Sequence, residues 1–394
     1  MREIFTVWKK EIQDTLRDRR TLFTAVIMPI FIMPLVLVGS FKLQESQQNT
    51  IANQVAVVAL SDQSTAPSLT DFLVKQDKID LQPAPADFQQ AIANGTLQAY
   101  IDIPADFEPS LASDQPVTLT VYEKSTDTKS ATAFQKVQTA ILLFNESVAA
   151  TKLSAADVNP AILHSVTVAA NDLATEQERG GYFLGLLLPM FIVIFSIAGG
   201  MYIAIDVSAG EKERKTLEAI LMAPLSRLKI VSGKFLAVAT TAIVSVVFSV
   251  ASMYAAFKIW PPNLGTALTF DITLGTALLM LGIGVILSVM FAALLLAVGI
   301  FAKSFKEAQN YITPFYLLAI LPVSIFSSIP GFKPPLALFV VPPLNAVFVF
   351  KESLIGETSS SHVLVTLGSL IVASIVSIII ATKIYSKESI LFRD

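Results

Sequence analysis

The segment that decides the fold of this chain is Gly210-Glu211-Lys212-Glu213-Arg214-Lys215-Thr216-Leu217-Glu218-Ala219-Ile220-Leu221-Met222-Ala223-Pro224, which lies between two long apolar runs. Ser208 and Glu211 have the spacing of a helix capping box, and Glu211 and Lys215 form an i,i+4 pair in the favourable direction. The second half has an apolar face and then a helix terminator, formed by Leu217, Ile220, Leu221 and Pro224. We therefore predict a short helix over 209–223 whose apolar face suits docking into a groove on a partner.

The composition indicates an integral membrane protein. Hydrophobic residues make up 53% of the chain and charged residues only 15%. The apolar residues come in uninterrupted runs of membrane-spanning length, rather than at the periods of helices and strands in soluble proteins. The chain has no Cys and two isolated His residues, His164 and His362, which excludes disulfides and thiolate metal sites and argues against a histidine cluster.

The N-terminal residues 1–20 have the pattern of an amphipathic helix at the membrane interface. Every fourth residue of one stripe is apolar: Ile4, Trp8, Ile12 and Leu16. Most of the basic residues lie off this stripe, toward anionic lipid: Lys9, Lys10, Arg17, Arg19 and Arg20. Residues 21–41 follow as an uncharged run that is long enough to span a bilayer, and no signal-peptide cleavage pattern follows it. We predict that this run is an uncleaved first transmembrane helix.

Residues 42–179 have the composition of a soluble domain. Strand-like runs at 55–60, 97–103 and 117–123 alternate with helix-like pieces, and the last of these carries a stripe of Phe134, Val137, Ile141, Phe144 and Val148. The segment has 17 acidic and 8 basic residues. We predict one acidic α/β domain of about 138 residues, enough for a hydrophobic core.

Residues 180–394 are predicted to form a transmembrane bundle. Uncharged runs occupy 180–205, 235–257, 272–302, 308–332, 334–350 and 358–382. Five of them are long enough to span, but 334–350 is short and contains four prolines, which favours a broken or re-entrant element buried against protein. With the first span, the fold class is a mainly α membrane protein with six transmembrane helices and an α/β domain inserted between the first and second spans.

Basic residues predict the orientation of these spans. With the N-terminus inside, the cytoplasmic segments hold 17 Lys and Arg and the short outer loops hold 3. Both termini and the helix 209–223 are then cytoplasmic, and the acidic domain 42–179 is extracytoplasmic. Because any cytoplasmic loop collects Lys and Arg, the charges of 209–223 alone do not distinguish a docking helix from an ordinary loop.

Catalytic and nucleotide-binding patterns are missing from the sequence. No Gly-x-x-x-x-Gly-Lys-Ser/Thr motif is present, since Gly233-Lys234 lacks both the upstream glycine and the following hydroxyl. No Ser-x-x-Lys or Gly-x-Ser-x-Gly marks a nucleophile. We predict a non-enzymatic chain without a cofactor of its own and without a nucleic-acid partner; the sequence leaves any metal site unknown.

Polar residues at the ends of the spans are candidates for a substrate path: Asp206, Asn310, Thr313 and Asn345. Charges within a bilayer are costly and therefore often functional. Residues such as Asp206 have a simpler explanation as membrane-boundary residues. A cation path would then depend on oxygen ligands, including carbonyls freed by Pro314, Pro322 and Pro343.

Three stretches resemble the permease subunits of type-2 ABC exporters, and within them the NatB-type sodium-extrusion permeases. They are Lys10-Glu11-Ile12-x-Asp14-x-Leu16-Arg17-Asp18-Arg19-Arg20-Thr21; Gly199-Gly200-Met201-Tyr202-x-Ala204-Ile205-Asp206-x-x-Ala209-Gly210-Glu211-Lys212-Glu213-Arg214-x-Thr216-Leu217-Glu218; and Pro343-Leu344-Asn345 before Lys351-Glu352. The chain departs from the family pattern at Lys215, where Gly is expected, and at Ala204, where Pro is usual. The second departure puts in doubt a family-like bend at the inner end of this span.

The resemblance implies a homodimer of permeases in the bilayer of a bacterial cytoplasmic membrane, with two copies of a separate ATPase that binds ATP and Mg²⁺. It implies that the interface helix rests on the ATPase through Trp8, Lys10, Glu11, Arg17, Arg19 and Arg20. The coupling residues would be Glu211, Lys212, Glu213, Arg214, Thr216, Leu217 and Glu218. ATP-driven closure of the ATPase pair would rock the spans and export Na⁺.

Two other functions remain open at this point. The near-absence of charges in the spans and the many Phe residues equally suit an exporter of a drug, lipid or peptide. A mechanotransmitting or sensing protein would move the outer domain without transport, but such a chain is expected to have four spans and no broken Pro-rich element.

Overall fold

The structure is a computed structural model that describes residues 1–160, 163, 176–216, 220, 222, 224–259, 272–329 and 332–386. The chain forms two compact units. One combines Met1–Lys42 with Leu173–Asp394, and the other is Leu43–Asp172.

The first unit is helical and confirms the prediction of a mainly α membrane protein. Within the described residues, six helices are long and apolar enough to cross a membrane: Arg19–Ser40, Leu184–Glu213, Arg227–Ile259, Leu274–Gly299, Phe305–Ser328 and Ser360–Tyr385. Their mean hydropathy lies between 1.5 and 2.7. The chain is therefore a multi-pass membrane protein.

The N-terminal helix is shorter than predicted. Helix α1 covers Arg2–Thr15, and a second helix, α2, covers Arg19–Leu22. Asp18 caps α2, because its carboxylate accepts the backbone N–H groups of Arg20 at 3.1 Å and Thr21 at 3.2 Å. The prediction of one helix over 1–20 was therefore wrong at its end. A π-helical turn, π1 (Phe23–Ile27), and helix α3 (Met28–Asn53) follow, so that the helix continues past residue 41.

The unit Leu43–Asp172 contains a mixed sheet. The described strands β1 (Ala56–Leu60), β2 (Ile79–Gln82), β3 (Ala99–Asp102) and β4 (Thr120–Tyr122) have the order β2-β1-β3-β4. Strand β1 is parallel to β2 and β3, whereas β4 is antiparallel to β3. The sequence had indicated three of these strands and not β2.

Four helices accompany this sheet: α4 (Pro67–Val74), α5 (Phe88–Ala93), α6 (Phe107–Ala112) and α7 (Thr128–Ala155). The predicted stripe lies on α7, where Val137 and Phe144 are buried. They belong to one core with Val58, Leu60 and Ile101 of the sheet. Helix α7 contributes apolar residues at a period of about 3.6 and the strands contribute them at a period of 2, so both patterns were visible in the sequence.

The helical bundle is built around α8 (Glu176–Ile205), which packs against α10 (Arg227–Ile259) and α11 (Leu274–Gly299). Helices α12 (Phe305–Ser328) and α14 (Ser360–Ser386) complete the spans in the described part of the chain. Small residues bring α8 and α10 close together, since a Cβ atom added at Gly199 would lie 2.3 Å from Ser245 Cβ. Such close approach is typical of helix packing in membranes.

The Pro-rich run is interrupted, as its prolines predicted. A 3₁₀ helix covers Leu336–Val340, and helix α13 (Leu344–Ile355) starts directly after Pro343. Most of α13 from Leu344 to Phe350 is buried, and it packs on α8. The predicted burial therefore holds for the helical half, whereas the 3₁₀ segment is mostly exposed, with Leu336 at 53% and Val340 at 54%, and only its Phe339 is buried.

The close packing of α8 on α10 gives a test. Replacing Gly199 by Ala should lower the apparent unfolding temperature in detergent, because the added methyl group overpacks a contact, at a typical cost of about 1–3 kcal/mol. Gly282→Ala on α11 is the matched control, since nothing lies within 4 Å of its Cβ position. Equal stability of the two variants would contradict the packing.

Candidate functional site

The segment around Glu211 is not the separate helix predicted over 209–223. Helix α8 continues without a break through a second π-helical turn, π2 (Asp206–Gly210), into a single helical turn, α9 (Glu211–Glu213). The helix then ends in a turn at Arg214–Lys215, where Lys215 has a left-handed φ of 57°. Leu217 and Glu218 lie outside the described residues, as do Ala219, Leu221 and Ala223.

The predicted capping box of Ser208 and Glu211 is also wrong. Ser208 is inside the helix, and its hydroxyl donates a hydrogen bond to the carbonyl oxygen of Ala204 at 2.5 Å. It packs so tightly on α11 that a Cβ atom at Gly299 would lie 2.4 Å from Ser208 Oγ. A serine buried in this way satisfies its hydroxyl locally and does not start a helix.

Glu211 pairs with Lys234 of α10 rather than with Lys215. Both side chains are buried, with Glu211 only 2% exposed and Lys234 0% exposed. The Lys234 ammonium contacts Glu211 Oε2 and donates a second hydrogen bond, at 2.6 Å, to the carbonyl oxygen of Val207. A π-helical turn alters the α-helical hydrogen-bond pattern, and here one of its carbonyl groups, that of Val207, accepts a hydrogen bond from the buried Lys234 ammonium. Lys215, by contrast, is exposed in the turn.

Helix α1 adds two more charges to this pair. Glu11 is 4% exposed, and Lys10 Nζ lies 3.1 Å from Glu11 Oε1 and 3.8 Å from Glu211 Oε1. We call Lys10, Glu11, Glu211 and Lys234 the charge cluster. Its two carboxylates and two ammonium groups compensate one another, which buried charges require.

The electrostatic environment favours the charged form of Lys10. Partial burial alone lowers the pKa of the Lys10 ammonium. The carboxylates of Glu11, Glu211 and Asp14 outweigh burial and hold this pKa above its ordinary value. Lys10 therefore remains a cation that links α1 to the end of α8.

Further contacts fix α1 on α10. Trp8 Nε1 donates a hydrogen bond to Thr240 Oγ1 at 3.0 Å, and a Cβ atom at Gly233 would lie 2.6 Å from Val7 Cβ. At the rim, Glu3 pairs with Lys229. The Lys229 hydrogen bond holds the pKa of the half-buried Glu3 carboxyl below its ordinary value. The three other predicted interface residues, Arg17, Arg19 and Arg20, are exposed.

The residues after Glu211 connect the same end of α8 to the next two helices. Lys212 donates a hydrogen bond to the carbonyl oxygen of Ile300, just after α11. Glu213 Oε2 accepts the N–H of Phe305, the first residue of α12, at 2.7 Å. A carboxylate at this position also interacts favourably with the positive end of the α12 helix dipole.

The exposed part of the coupling segment is short. Arg214 pairs with Asp206 at 2.8 Å, and Thr216 Oγ1 donates to the carbonyl oxygen of Glu211 at 3.3 Å. Glu213, Arg214, Lys215 and Thr216 are exposed, whereas Glu211 points into the bundle. Of the predicted coupling residues in the described part of the chain, Glu213, Arg214 and Thr216 are exposed to a partner, whereas Glu211 is buried.

The four candidate substrate residues do not meet. Asp206 lines a cavity of about 270 Å³ together with Asp14, Asp18, Tyr202 and Phe305. Asn310 and Thr313 are exposed on α12. Asn345 is buried on α13, and its amide donates to Ser369 Oγ at 2.7 Å. Among the described residues there is no group of His, Asp and Glu arranged to hold a metal ion.

Sequence reasoning did not identify Lys234 as part of a buried ion pair. It had been considered only as part of a failed phosphate-binding motif. A single lysine directly before the apolar run 235–257 is a signal in itself, because an intramembrane ammonium group needs a partner. That partner, Glu211, lies 23 residues earlier and was assigned to a local pair with Lys215.

The charge cluster yields a stability prediction. Lys234→Met leaves the Glu211 carboxylate buried without its main partner and should cost about 3–5 kcal/mol, seen as a lower unfolding temperature in detergent. The double variant Glu211→Met/Lys234→Met should recover most of the loss, because it removes both buried charges. Lys229→Met is the control at the partly exposed pair with Glu3, at the rim of the bundle, and should change little. A Lys234→Met protein as stable as the wild type would contradict the burial of the pair.

Comparison with known proteins agrees with this architecture. The family model described as ABC-2 family transporter protein matches residues 19–383. The chain is also similar to the ABC transporter permease protein NatB of Bacillus subtilis (strain 168), with 29% identity over 384 residues that cover 97% of each chain. The sequence resemblance to ABC permeases is thereby confirmed. This chain belongs to the ABC-2 transporter family.

Proposed function

We propose that the chain is the permease of an ATP-driven exporter and receives its driving force through α1 and the segment 206–216. Family membership makes it a membrane transport component and implies a partner ATPase. The observation that carries the coupling role is the charge cluster, in which Lys10 and Glu11 of α1 meet Glu211 beside the buried Lys234. A force applied to either surface segment is thereby passed to the same buried group.

The proposed mechanism follows from the connections of α8. Its last turns are bonded to α10 through Lys234, to the end of α11 through Lys212 and to the start of α12 through Glu213. ATP-driven closure of an ATPase pair would press on α1 and on the exposed residues of 213–216. Because helix α8 is continuous with this segment, the displacement would tilt the whole span.

The assembly we propose has two copies of this chain and two of a separate ATPase, which holds ATP and Mg²⁺. Basic residues concentrated in the loops on the N-terminal side support cytoplasmic termini in a bacterial plasma membrane. The acidic α/β unit is then extracytoplasmic. Charges of this unit would be expensive to bury in lipid, so placement in the outer aqueous phase agrees with its composition.

The cargo we propose is Na⁺. The likeness to NatB over nearly the whole chain and the N-terminal motif support this choice. Helix α12, which carries Asn310 and Thr313, contains Pro314 and Pro322, which leave carbonyl groups without helical partners. Oxygen ligands of this kind suit a hard cation.

An apolar or amphipathic cargo such as a drug, lipid or peptide is the alternative. It is favoured by one observation, namely that the four candidate polar residues do not converge in the described part of the bundle. A purely mechanotransmitting role has less support, because six candidate spans and the interrupted Pro-rich element exceed what such a role requires.

Charge reversal in the exposed segment tests coupling. Glu213→Lys should leave the permease inserted but abolish ATPase co-purification or ATP-driven transport, because it removes the carboxylate that accepts the Phe305 N–H. We expect the same of Glu218→Lys. Glu146→Lys, a reversal at an exposed site on α7, is the control. Unchanged co-purification and transport in the Glu213 variant would argue against the assignment.

Vesicles that contain the permease and its ATPase test the cargo. We expect ATP-dependent ²²Na⁺ efflux above that of an ATPase-dead control. Absence of such efflux would exclude Na⁺. A screen of drugs, lipids and peptides for stimulated ATPase activity would then identify the alternative cargo.

A further inference from the structure

The end of the bundle far from the charge cluster is organised by α13. The start of α8 lies against it so closely that a Cβ atom at Gly181 would be 2.4 Å from the carbonyl oxygen of Leu354. Gly181 and Glu211 are thirty residue steps apart along the helix, which corresponds to about 45 Å. Helix α8 therefore connects α13 mechanically to the charge cluster.

Lys351 of α13 holds the C-terminal end of α12. Its ammonium donates hydrogen bonds to the carbonyl oxygens of Phe326 at 3.4 Å and Ser327 at 3.1 Å. These carbonyl groups belong to the last turn of α12, whose acceptors have no partners within the helix. The Lys351 stem packs near Gly185 of α8, where an added Cβ atom would lie 3.5 Å from Lys351 Cγ.

The neighbouring residue, Glu352, holds the start of α14. Glu352 Oε1 lies 2.7 Å from His362 Nδ1, in the first turn of that helix. The His362 ring is stacked on Phe339, with the ring centres 4.0 Å apart. Two adjacent residues of α13 thus bind two different spans, while Leu354 contacts a third.

The bonds of Lys351 are suited to reversible opening. Among the described residues no carboxylate forms an ion pair with it, and Glu352 is directed to His362 instead. Hydrogen bonds to neutral carbonyl groups are weaker than a bidentate ion pair and exchange readily for water. Ser327, one of the two residues whose carbonyl groups accept these bonds, is 1% exposed.

We propose that Lys351 and Glu352 form a clamp that keeps the outer end of the bundle closed and that opens when α8 tilts. The outer location and the tilt rest on the proposed function. Movement of α8 carries α13 with it through the Gly181–Leu354 contact. The same movement withdraws Lys351 from α12 and Glu352 from α14, so both spans are released together.

The chain has no native cysteine, so a single cysteine reports on the clamp. In Ser327→Cys, we would measure the rate of labelling by a membrane-impermeant maleimide from the outside, using the permease–ATPase complex in liposomes. We expect slow labelling without nucleotide and at least about tenfold faster labelling with ATP and vanadate. Equal rates in a complex that hydrolyses ATP would overturn the proposal, even if transport were normal.

A second comparison does not depend on the ATPase. Adding Lys351→Met to Ser327→Cys should make labelling fast without nucleotide, whereas Lys351→Arg, which can still donate to carbonyl groups, should keep it slow. Lys333→Met, at an exposed lysine nearby, is the control. If Lys351→Met is poorly folded by size-exclusion chromatography, His362→Asn replaces it, with the same expectation of fast labelling. Slow labelling in a folded Lys351 or His362 variant would overturn the clamp, whatever the cargo proves to be.

Discussion

The buried ion pair between Lys234 and Glu211 is the interaction on which the proposed coupling end of the bundle depends. An ammonium group with 0% exposure in a membrane helix is tolerated only if its hydrogen bonds are satisfied. Here the carboxylate of Glu211 and the carbonyl group of Val207 satisfy it. Val207 and Glu211 are four residues apart on one helical face, so the continuation of the helix beyond Asp206 presents both acceptors to Lys234 and explains the buried position of Glu211.

The same pair attaches an N-terminal surface helix to the bundle. Lys10 and Glu11 extend the buried pair to α1, and Trp8 fixes the helix on α10. A surface helix attached only by apolar contacts could slide along the bundle, whereas paired buried charges allow few positions. The same connection fixes the position of the exposed residues from Glu213 to Thr216, because they follow the buried Glu211 closely in the chain.

The spans could be predicted from the sequence because uninterrupted apolar runs have no other stable environment. The ends of the helices were harder to predict than the spans, as two Ser-x-x-Glu patterns illustrate. Ser304 accepts the N–H of Glu307 at 3.3 Å and starts α12, whereas Ser208 is inside a helix and Glu211 is buried. The serine and glutamate have the same spacing in both segments, and the two segments differ in whether these side chains are buried. Strand β2 was missed because it has only four residues and half of them are polar. Lys351 and Glu352 were interpreted as charges at the membrane boundary, because their contacts with other helices are not visible in the sequence.

The proposed coupling requires that the charge cluster hold α1 and the segment after Glu211 together as one rigid unit. Gln13 and Thr216 are exposed, and a chain without native cysteines allows spin labels at Gln13→Cys and Thr216→Cys alone. We would measure the distance between the labels by pulsed electron paramagnetic resonance, in the ATPase complex without nucleotide and trapped with ATP and vanadate. The account predicts one narrow distance that is the same in both states and that broadens in Lys234→Met. A distance that changes with nucleotide in the otherwise unaltered permease would contradict it.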